Sequence, residues 1–115
     1  MSDRLKKVNK LVKEALSEII EEDFSFEKSF ITVSDVKVSP DLRVAQVFVS
    51  VFPYEKKEAA LSFLGENKKK IQEQLGKKIV LKFTPLIEIS FDESFQYESE
   101  INDLFKKIEH DKIDD

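Results

Sequence analysis

The side chains of this sequence that could do chemistry are mostly lysines, and they are concentrated in two segments. Segment 67–82 (NKKKIQEQLGKKIVLK) holds six lysines opposed only by Glu73, although the whole chain has a formal net charge of -4. Residues 1–13 hold five more basic side chains against Asp3. The rest of the chain is therefore strongly acidic. A chain divided in this way can present a basic face to a polyanion while its other side stays acidic.

The lysines of segment 67–82 allow two interpretations. They can form the solvated face of a helix whose core side is Ile71 and Leu75, or they can follow a phosphate backbone. The second basic cluster at the N-terminus favours the phosphate backbone. Lysine is a point charge without the planar fork of arginine, so we expect phosphate contacts rather than reading of base edges. The candidates for these contacts are Lys68, Lys69, Lys70, Lys77, Lys78 and Lys82.

Catalysis finds little support. His110 is the single histidine and lies in the polar tail, where an exposed bystander is expected rather than a base or metal ligand. Asp92 and Glu93 could serve acid–base chemistry or a hard metal, but capping of a following helix explains them more simply. The run GKK at 76–78 lacks the preceding glycine and the following Ser or Thr of a phosphate-binding loop. We therefore expect no enzyme activity, no cofactor and no metal.

Length and composition indicate one domain in a reducing compartment. The 115 residues, 41% of them hydrophobic, suffice for one core, so residues 1–115 are expected to form a single domain with 110–115 as a frayed tail. The chain has no Cys, which fits the cytosol and excludes thiolate chemistry. No apolar run is long enough to span a bilayer, and the first ten residues do not resemble a signal peptide. A cytoplasmic location is expected.

The first half of the chain predicts a helix followed by a hairpin. Apolar residues recur at steps of three and four over residues 3–22, which is typical of an amphipathic helix. Residues 30–38 and 43–52 alternate as two strands, and the turn residues between them predict an antiparallel hairpin. The buried parity changes within the first strand, so a bulge is expected near Ser34 or Asp35.

The second half predicts a helix, a strand and a last helix. Helical periodicity begins at Glu55, is interrupted around Gly65, and is expected to end at Gly76. Residues 79–91 alternate as a third strand that Pro85 disturbs. Asp92 or Ser94 could cap the last helix. The expected order is α-β-β-α-β-α, and the buried stripe of the last helix would be Tyr97, Ile101, Leu104 and Ile108.

Several stretches together resemble the ribosome-binding factor A family. They are Arg4 with Val8, VKVSPDLRVAQVFVS (residues 36–50), LGKKIVLKFTPLIEISFDES (residues 75–94), and Ile101 with Leu104, in the family's order and spacing. The most specific element is the turn that contains Ser39, Asp41 and Leu42, followed by alanine-x-valine. The resemblance covers nearly the whole chain. It implies an α+β domain of the type II KH-like kind, with helices on one face of a three-stranded sheet.

The resemblance also implies a function. It implies a non-enzymatic assembly factor that binds the free 30S subunit and its 16S rRNA near the decoding region during late maturation. Such a factor assists processing of the 5′ end, leaves before translation, and is associated with growth in the cold. A monomer is expected, with ribosomal proteins and other assembly factors as further candidate partners. On this interpretation the lysines face rRNA, extended by Arg4, Lys6, Lys7, Lys10 and Arg43.

Two questions stay open from the sequence. Ser39, Pro40 and Asp41 are explained either by turn geometry or by direct RNA contact. The protein could alternatively be an interaction module that binds basic ribosomal proteins through its acidic face, without touching RNA.

The sequence departs from the family at the interruption of the second helix. Family members break this helix with alanine-x-glycine, whereas this chain has Asn67, Lys68 and Lys69 there. Glycine and asparagine tolerate backbone angles that cost other residues energy, so we expect the break at residues 65–67. Asn67 would then open the second half of the helix, with Lys68, Lys69 and Lys70 in its first turn.

Overall fold

A computed structural model of the protein describes residues 3–93. They form helix α1 (Asp3–Glu18), strands β1 (Phe30–Val38) and β2 (Val44–Phe52), helices α2 (Lys57–Glu66) and α3 (Lys68–Lys78), and strand β3 (Leu86–Phe91). A wider π-helical turn (Ile19–Asp23) continues α1, and a 3-10 turn (Tyr54–Lys56) leads into α2. The predicted α+β class is confirmed. The predicted last helix, with Tyr97 to Ile108, and the tail with His110 lie outside the described residues.

The three strands form one mixed sheet with β2 in the centre. Strand β1 pairs antiparallel with β2, from Phe30 opposite Phe52 to Val38 opposite Ala45, so the predicted hairpin is confirmed. Strand β3 pairs parallel with β2, from Val44 opposite Leu86 to Val49 opposite Phe91. A parallel neighbour requires a crossover connection, and α2 and α3 provide it.

A bulge in β1 keeps one face of the sheet apolar. The register shifts between Val33 and Asp35, which confirms the bulge expected at this point. Because side chains alternate along a strand, the extra residue returns Val36 and Val38 to the face that already holds Ile31 and Val33. All four are buried. The Ser34 side chain stabilises the bulge, because its hydroxyl donates a 3.0 Å hydrogen bond to the Phe48 carbonyl on β2.

The helices cover the apolar face of the sheet. Helix α1 packs on β1, α2 on β2 and β3, and α3 on β3 and α1. Two polar side chains fix these contacts. Asn9 Oδ1 accepts a 2.8 Å hydrogen bond from Val38 N, and Gln72 bonds both the Pro85 carbonyl and the Ile87 amide at 2.8 Å. The fully buried side chains that make the core continuous are Val12, Leu16, Ile20, Leu64, Ile71, Leu75 and Ile87.

Two predictions about the connection into β3 are wrong. Gly76 does not end the helix, because Ile79 N still donates to the Leu75 carbonyl at 3.1 Å and α3 runs on to Lys78. Residues 79–85 are not a strand. Strand β3 begins only at Leu86, since its parallel partner β2 begins at Val44, and the residues before Val44 are folded into the hairpin turn. No sheet residue is therefore left to pair with 79–83.

Candidate nucleic-acid-binding surface

The break between α2 and α3 lies at Asn67, within the segment predicted from the sequence. The backbone N–H of Asn67 donates to the Phe63 and Leu64 carbonyls at 3.2 Å, and the backbone carbonyl of Asn67 accepts from Ile71 N at 3.0 Å. Its backbone angle φ is -101°, so the left-handed conformation considered for this residue does not occur. The side chain donates to the Phe63 carbonyl at 2.8 Å, so it closes α2 rather than capping α3. Gly65 has no positive φ.

Directly after this break, α3 carries the lysine triplet Lys68, Lys69 and Lys70. All three side chains are exposed, whereas Ile71 and Leu75 on the opposite side of the helix are fully buried. No acidic residue stands in the first turn of α3. None of the three lysines forms a salt bridge within the described part of the chain. The lysine triplet is therefore available to an anionic partner.

At the C-terminal end of α3, one of the two lysines already has an acidic partner. Lys77 is exposed, but Lys78 forms a 2.5 Å ion pair with Glu18 at the end of α1. The hydrogen bond that Lys78 donates to Glu18 raises the pKa of Lys78, and the charges of Glu18, Glu22 and Asp23 raise it further. The acidic end of α1 thus has a partner across the helix pair, which accounts for acidic residues where the helix dipole disfavours them. Among the lysine candidates, Lys78 is the least available to RNA.

Three other candidates meet in one groove, although they are far apart in sequence. Arg4 comes from the start of α1, Arg43 from the end of the hairpin turn, and Lys82 from the connection between α3 and β3. The groove has a volume of about 600 Å³, and its apolar walls are Leu42, Leu81, Phe83 and Leu86. Asp41 and Thr84 complete the lining. We call this site the basic groove.

The hairpin turn that supports the basic groove is tightly hydrogen-bonded. Asp41 Oδ1 accepts a 2.6 Å bond from the Ser39 hydroxyl and a 3.1 Å bond from Arg43 N. The Ser39 hydroxyl accepts in turn from Val44 N at 3.1 Å. Leu42 has a φ of 63°, a conformation that costs a branched residue energy and that this network holds in place. The side chains of Ser39 and Asp41 are therefore used by turn geometry, one of the two explanations left open by the sequence.

The pKa of Asp41 offers a test of this turn. The Ser39 hydrogen bond, followed by that of the Arg43 amide, holds the pKa of Asp41 below its ordinary value of 3.8. Ionised Asp41 therefore stabilises the turn at pH values above its ordinary pKa of 3.8. This stabilisation is lost as the pH falls through the lowered pKa of the folded protein. We expect Ser39→Ala to move the pKa of Asp41 back towards 3.8, as measured by NMR titration of its carboxyl carbon. Ser34→Ala is the control, because Ser34 bonds only a backbone carbonyl. An unchanged pKa in Ser39→Ala would contradict the network.

The remaining candidates lie along α1. Lys6, Lys7 and Lys10 are exposed, as predicted for the solvated face of an amphipathic helix. Lys10 lies 4.0 Å from Glu14 one turn further on, and both side chains are mostly exposed. Such an exposed pair contributes little to stability and leaves the lysine able to exchange partners.

Sequence reasoning missed the aromatic and aliphatic part of the basic groove. It assigned Phe83 to a strand, where alternation would place it against a neighbour. The structure leaves its side chain 73% exposed, and the neighbouring Lys82 Nζ lies 5.7 Å from its ring centre. Leu86 is also exposed, although it opens β3. The available signal was the short distance from Phe83 to Pro85, because proline cannot donate to a sheet and often marks its edge.

Neither a metal-binding group nor a helix able to span a membrane occurs among the described residues. Within residues 3–93, no group of three or more histidine, cysteine or acidic side chains could hold a metal ion. The carboxylate of Asp41, which lines the basic groove, is committed to the hairpin turn. No helix within the same range is long and apolar enough to cross a bilayer.

The fold and the surface define the class of this protein. A three-stranded mixed sheet with helices on one face and an interrupted second helix is a KH-like domain, here with exposed lysines directly after the interruption. The family model described as "Ribosome-binding factor A" matches residues 4–105. The chain therefore belongs to the ribosome-binding factor A family.

Individual relatives agree with this assignment. Ribosome-binding factor A of Thermodesulfovibrio yellowstonii is 36% identical over 106 residues, which cover 91% of this chain and 90% of that protein. The Clostridium novyi protein of the same name is 34% identical over 115 residues, covering 97% of this chain and 95% of the relative.

Solved structures of the family share the fold. The crystal structure of ribosome-binding factor A from Thermus thermophilus superimposes with a TM-score of 0.65 at 26% identity, covering 76% of this chain and 93% of the other. A homology model of the Thermus thermophilus factor, fitted into the cryo-EM map of a 30S complex with that factor, gives a TM-score of 0.60 at 25% identity. That match covers 69% of this chain and 85% of the other.

Proposed function

We propose that this protein is a non-enzymatic assembly factor that binds the free 30S subunit through its 16S rRNA during late maturation and assists processing of the 5′ end. The observation that carries this proposal is the match to the Thermus thermophilus factor that was fitted into the map of a 30S complex. A chain with the same fold and family is expected to bind the same kind of particle.

The distribution of free positive charge supports RNA as the direct partner. Of the eleven basic candidates, only Lys10 and Lys78 form salt bridges within residues 3–93. The others are exposed cations on α1, at both ends of α3, and around the basic groove. Binding that neutralises phosphates releases their counterions, so unpaired surface lysines and arginines contribute to affinity without loss of an existing partner.

A module that binds basic ribosomal proteins through its acidic face is the second candidate. Its acidic side chains would be those of the π-helical turn after α1, where Glu21, Glu22 and Asp23 are exposed. Glu18 is already paired with Lys78, and Glu22 and Asp23 also act on that lysine. Part of this acidity therefore holds α1 against α3. Reversing Glu21 and Glu22 to lysine separates the two candidates, because only the protein-binding module would lose affinity.

Cosedimentation tests the proposed particle. The protein is expected to sediment with immature and free small subunits, and not with large subunits or assembled ribosomes. Binding should weaken steeply with salt: if about five cations meet phosphates, the slope of log K against log salt should be roughly -3 to -5, or about a hundredfold between low and physiological salt. A slope near zero would contradict direct RNA binding, and equal binding to large subunits would contradict the choice of particle.

Depletion tests the role in maturation. Cells that lack the protein are expected to accumulate immature small subunits with unprocessed 16S precursor. The effect should be larger in the cold, because misfolded RNA leaves its kinetic traps more slowly at low temperature. The measurement is primer extension at the 5′ end of 16S rRNA at two growth temperatures, with complementation by the intact gene as the control. Normal processing of 16S rRNA at low temperature would contradict the proposed role in maturation.

A further inference from the structure

We propose that the basic groove binds an unpaired RNA nucleotide, with its base against Phe83 and the flanking phosphates at Arg4, Arg43 and Lys82. The inference rests on the proposed function and deepens it. The exposed lysines explain attraction to any phosphate backbone, whereas the basic groove would select RNA whose bases are not paired.

Phe83 is exposed at the basic groove. It is 73% exposed, so it contributes little to the core, and Leu86, which also lines the groove, is 64% exposed. Scattered exposed apolar residues need no explanation, but these lie at or beside a groove that three cations surround. A nucleotide has the same combination, a flat apolar base between charged phosphates. Aromatic side chains on which bases stack, within a positive groove, are the usual means of binding single strands.

Positive charge predominates in the basic groove. Arg4, Arg43 and Lys82 are exposed, and none of them forms a salt bridge within residues 3–93. Among residues 3–93, Asp41 is the only acidic side chain that lines the groove. It accepts hydrogen bonds from Ser39 and from the Arg43 amide, so it holds the turn. The groove is therefore positive overall, and its cations remain available to phosphates.

The basic groove has fixed walls and the size of a small-ligand site. The hydrogen bonds of the hairpin turn hold Leu42 at a φ of 63° and thereby fix one wall of the groove, while β3 fixes Leu86 on the other side through its 2.9 Å bond to the Arg43 carbonyl. A prearranged site loses less entropy when it binds. The groove volume of about 600 Å³ falls within the range of roughly 300–1,000 Å³ that is usual for small-molecule sites. It suits one nucleotide rather than a double helix, in which the base faces are covered by stacking.

The test compares single-stranded with double-stranded RNA. The probe is a fluorescein-labelled RNA of about eight nucleotides, used alone or annealed to its complement, and binding is measured by fluorescence anisotropy. We expect Phe83→Ala to weaken binding of the single strand by about tenfold or more, and binding of the duplex by less than about twofold. Phe83→Tyr should retain single-strand affinity. Phe30→Ala is the matched control, because Phe30 is 72% exposed but lies at the opposite end of the hairpin.

The outcomes separate this inference from its alternatives. Equal loss from Phe30→Ala, or equal loss for the duplex, would overturn stacking at Phe83. Displacement of the single strand by polyglutamate at equal charge concentration would show a general anion site and would also overturn it. The 30S assay distinguishes the two proposals. If Phe83→Ala binds both the 30S subunit and the single strand normally, nucleotide binding in the basic groove is refuted and the proposed function stands. If the unaltered protein does not bind the 30S subunit, the proposed function is refuted, and this inference with it.

Discussion

Replacing Lys68, Lys69 and Lys70 together by glutamate is expected to weaken binding to the 30S subunit by about a hundredfold or more. All three lysines are exposed and form no salt bridge within the described residues, so each substitution turns an attraction to phosphate into a repulsion. The fold should be unaffected. Glutamate in the first turn of a helix is favoured by the helix dipole, and α3 has no acidic residue there now.

The measurement is cosedimentation of the triple variant with 30S subunits, together with its circular dichroism and thermal unfolding. The matched control replaces Lys28 and Lys37 by glutamate, because these lysines are also exposed but lie in a loop and on β1. It is compared with Lys68→Glu combined with Lys69→Glu, which changes the net charge equally, so a difference between the two reports the position of the charge. Equal loss in both would indicate that only overall charge matters. Unfolding of the triple variant of Lys68, Lys69 and Lys70 would show that these lysines are needed for folding.

Replacing Leu75 by alanine is expected to do the opposite, lowering the free energy of unfolding by about 2–5 kcal/mol while the folded protein keeps its affinity for the 30S subunit. Leu75 is fully buried in the core, so its loss removes apolar contacts and leaves a cavity. Chemical denaturation in urea gives the free energy directly. Ile71→Ala, which truncates the neighbouring fully buried side chain of α3, should behave similarly.

The control for the core is Val80→Ala. Val80 is 97% exposed, so its truncation should change the free energy of unfolding by less than about 0.5 kcal/mol. If Leu75→Ala were equally mild, the buried side of α3 would be wrongly assigned, and the exposure of the lysine triplet would be in question with it. Loss of 30S affinity by the folded fraction of Leu75→Ala would also contradict the assignment of the buried and exposed sides of α3.

The sequence by itself determined the features that depend on neighbours along the chain. Alternation in β1 and β2 fixed the hairpin, and the change of parity placed the bulge between Val33 and Asp35. The same reasoning placed the helix break near Gly65 to Asn67, where the structure has it at Asn67. These predictions succeeded because periodicity, turn residues and helix breakers act over a few residues, so their physical cause is present in the local sequence.

Only the tertiary structure decided what residues distant in sequence do to one another. The alternation of residues 79–83 looks the same whether or not a partner strand exists, and the parallel pairing of β3 with β2 leaves no partner before Leu86. The ion pair of Lys78 with Glu18 and the meeting of Arg4, Arg43 and Lys82 in the basic groove likewise depend on how α1, the hairpin turn and α3 pack. The sequence supplies these side chains, but packing of the shared core sets the distances between them.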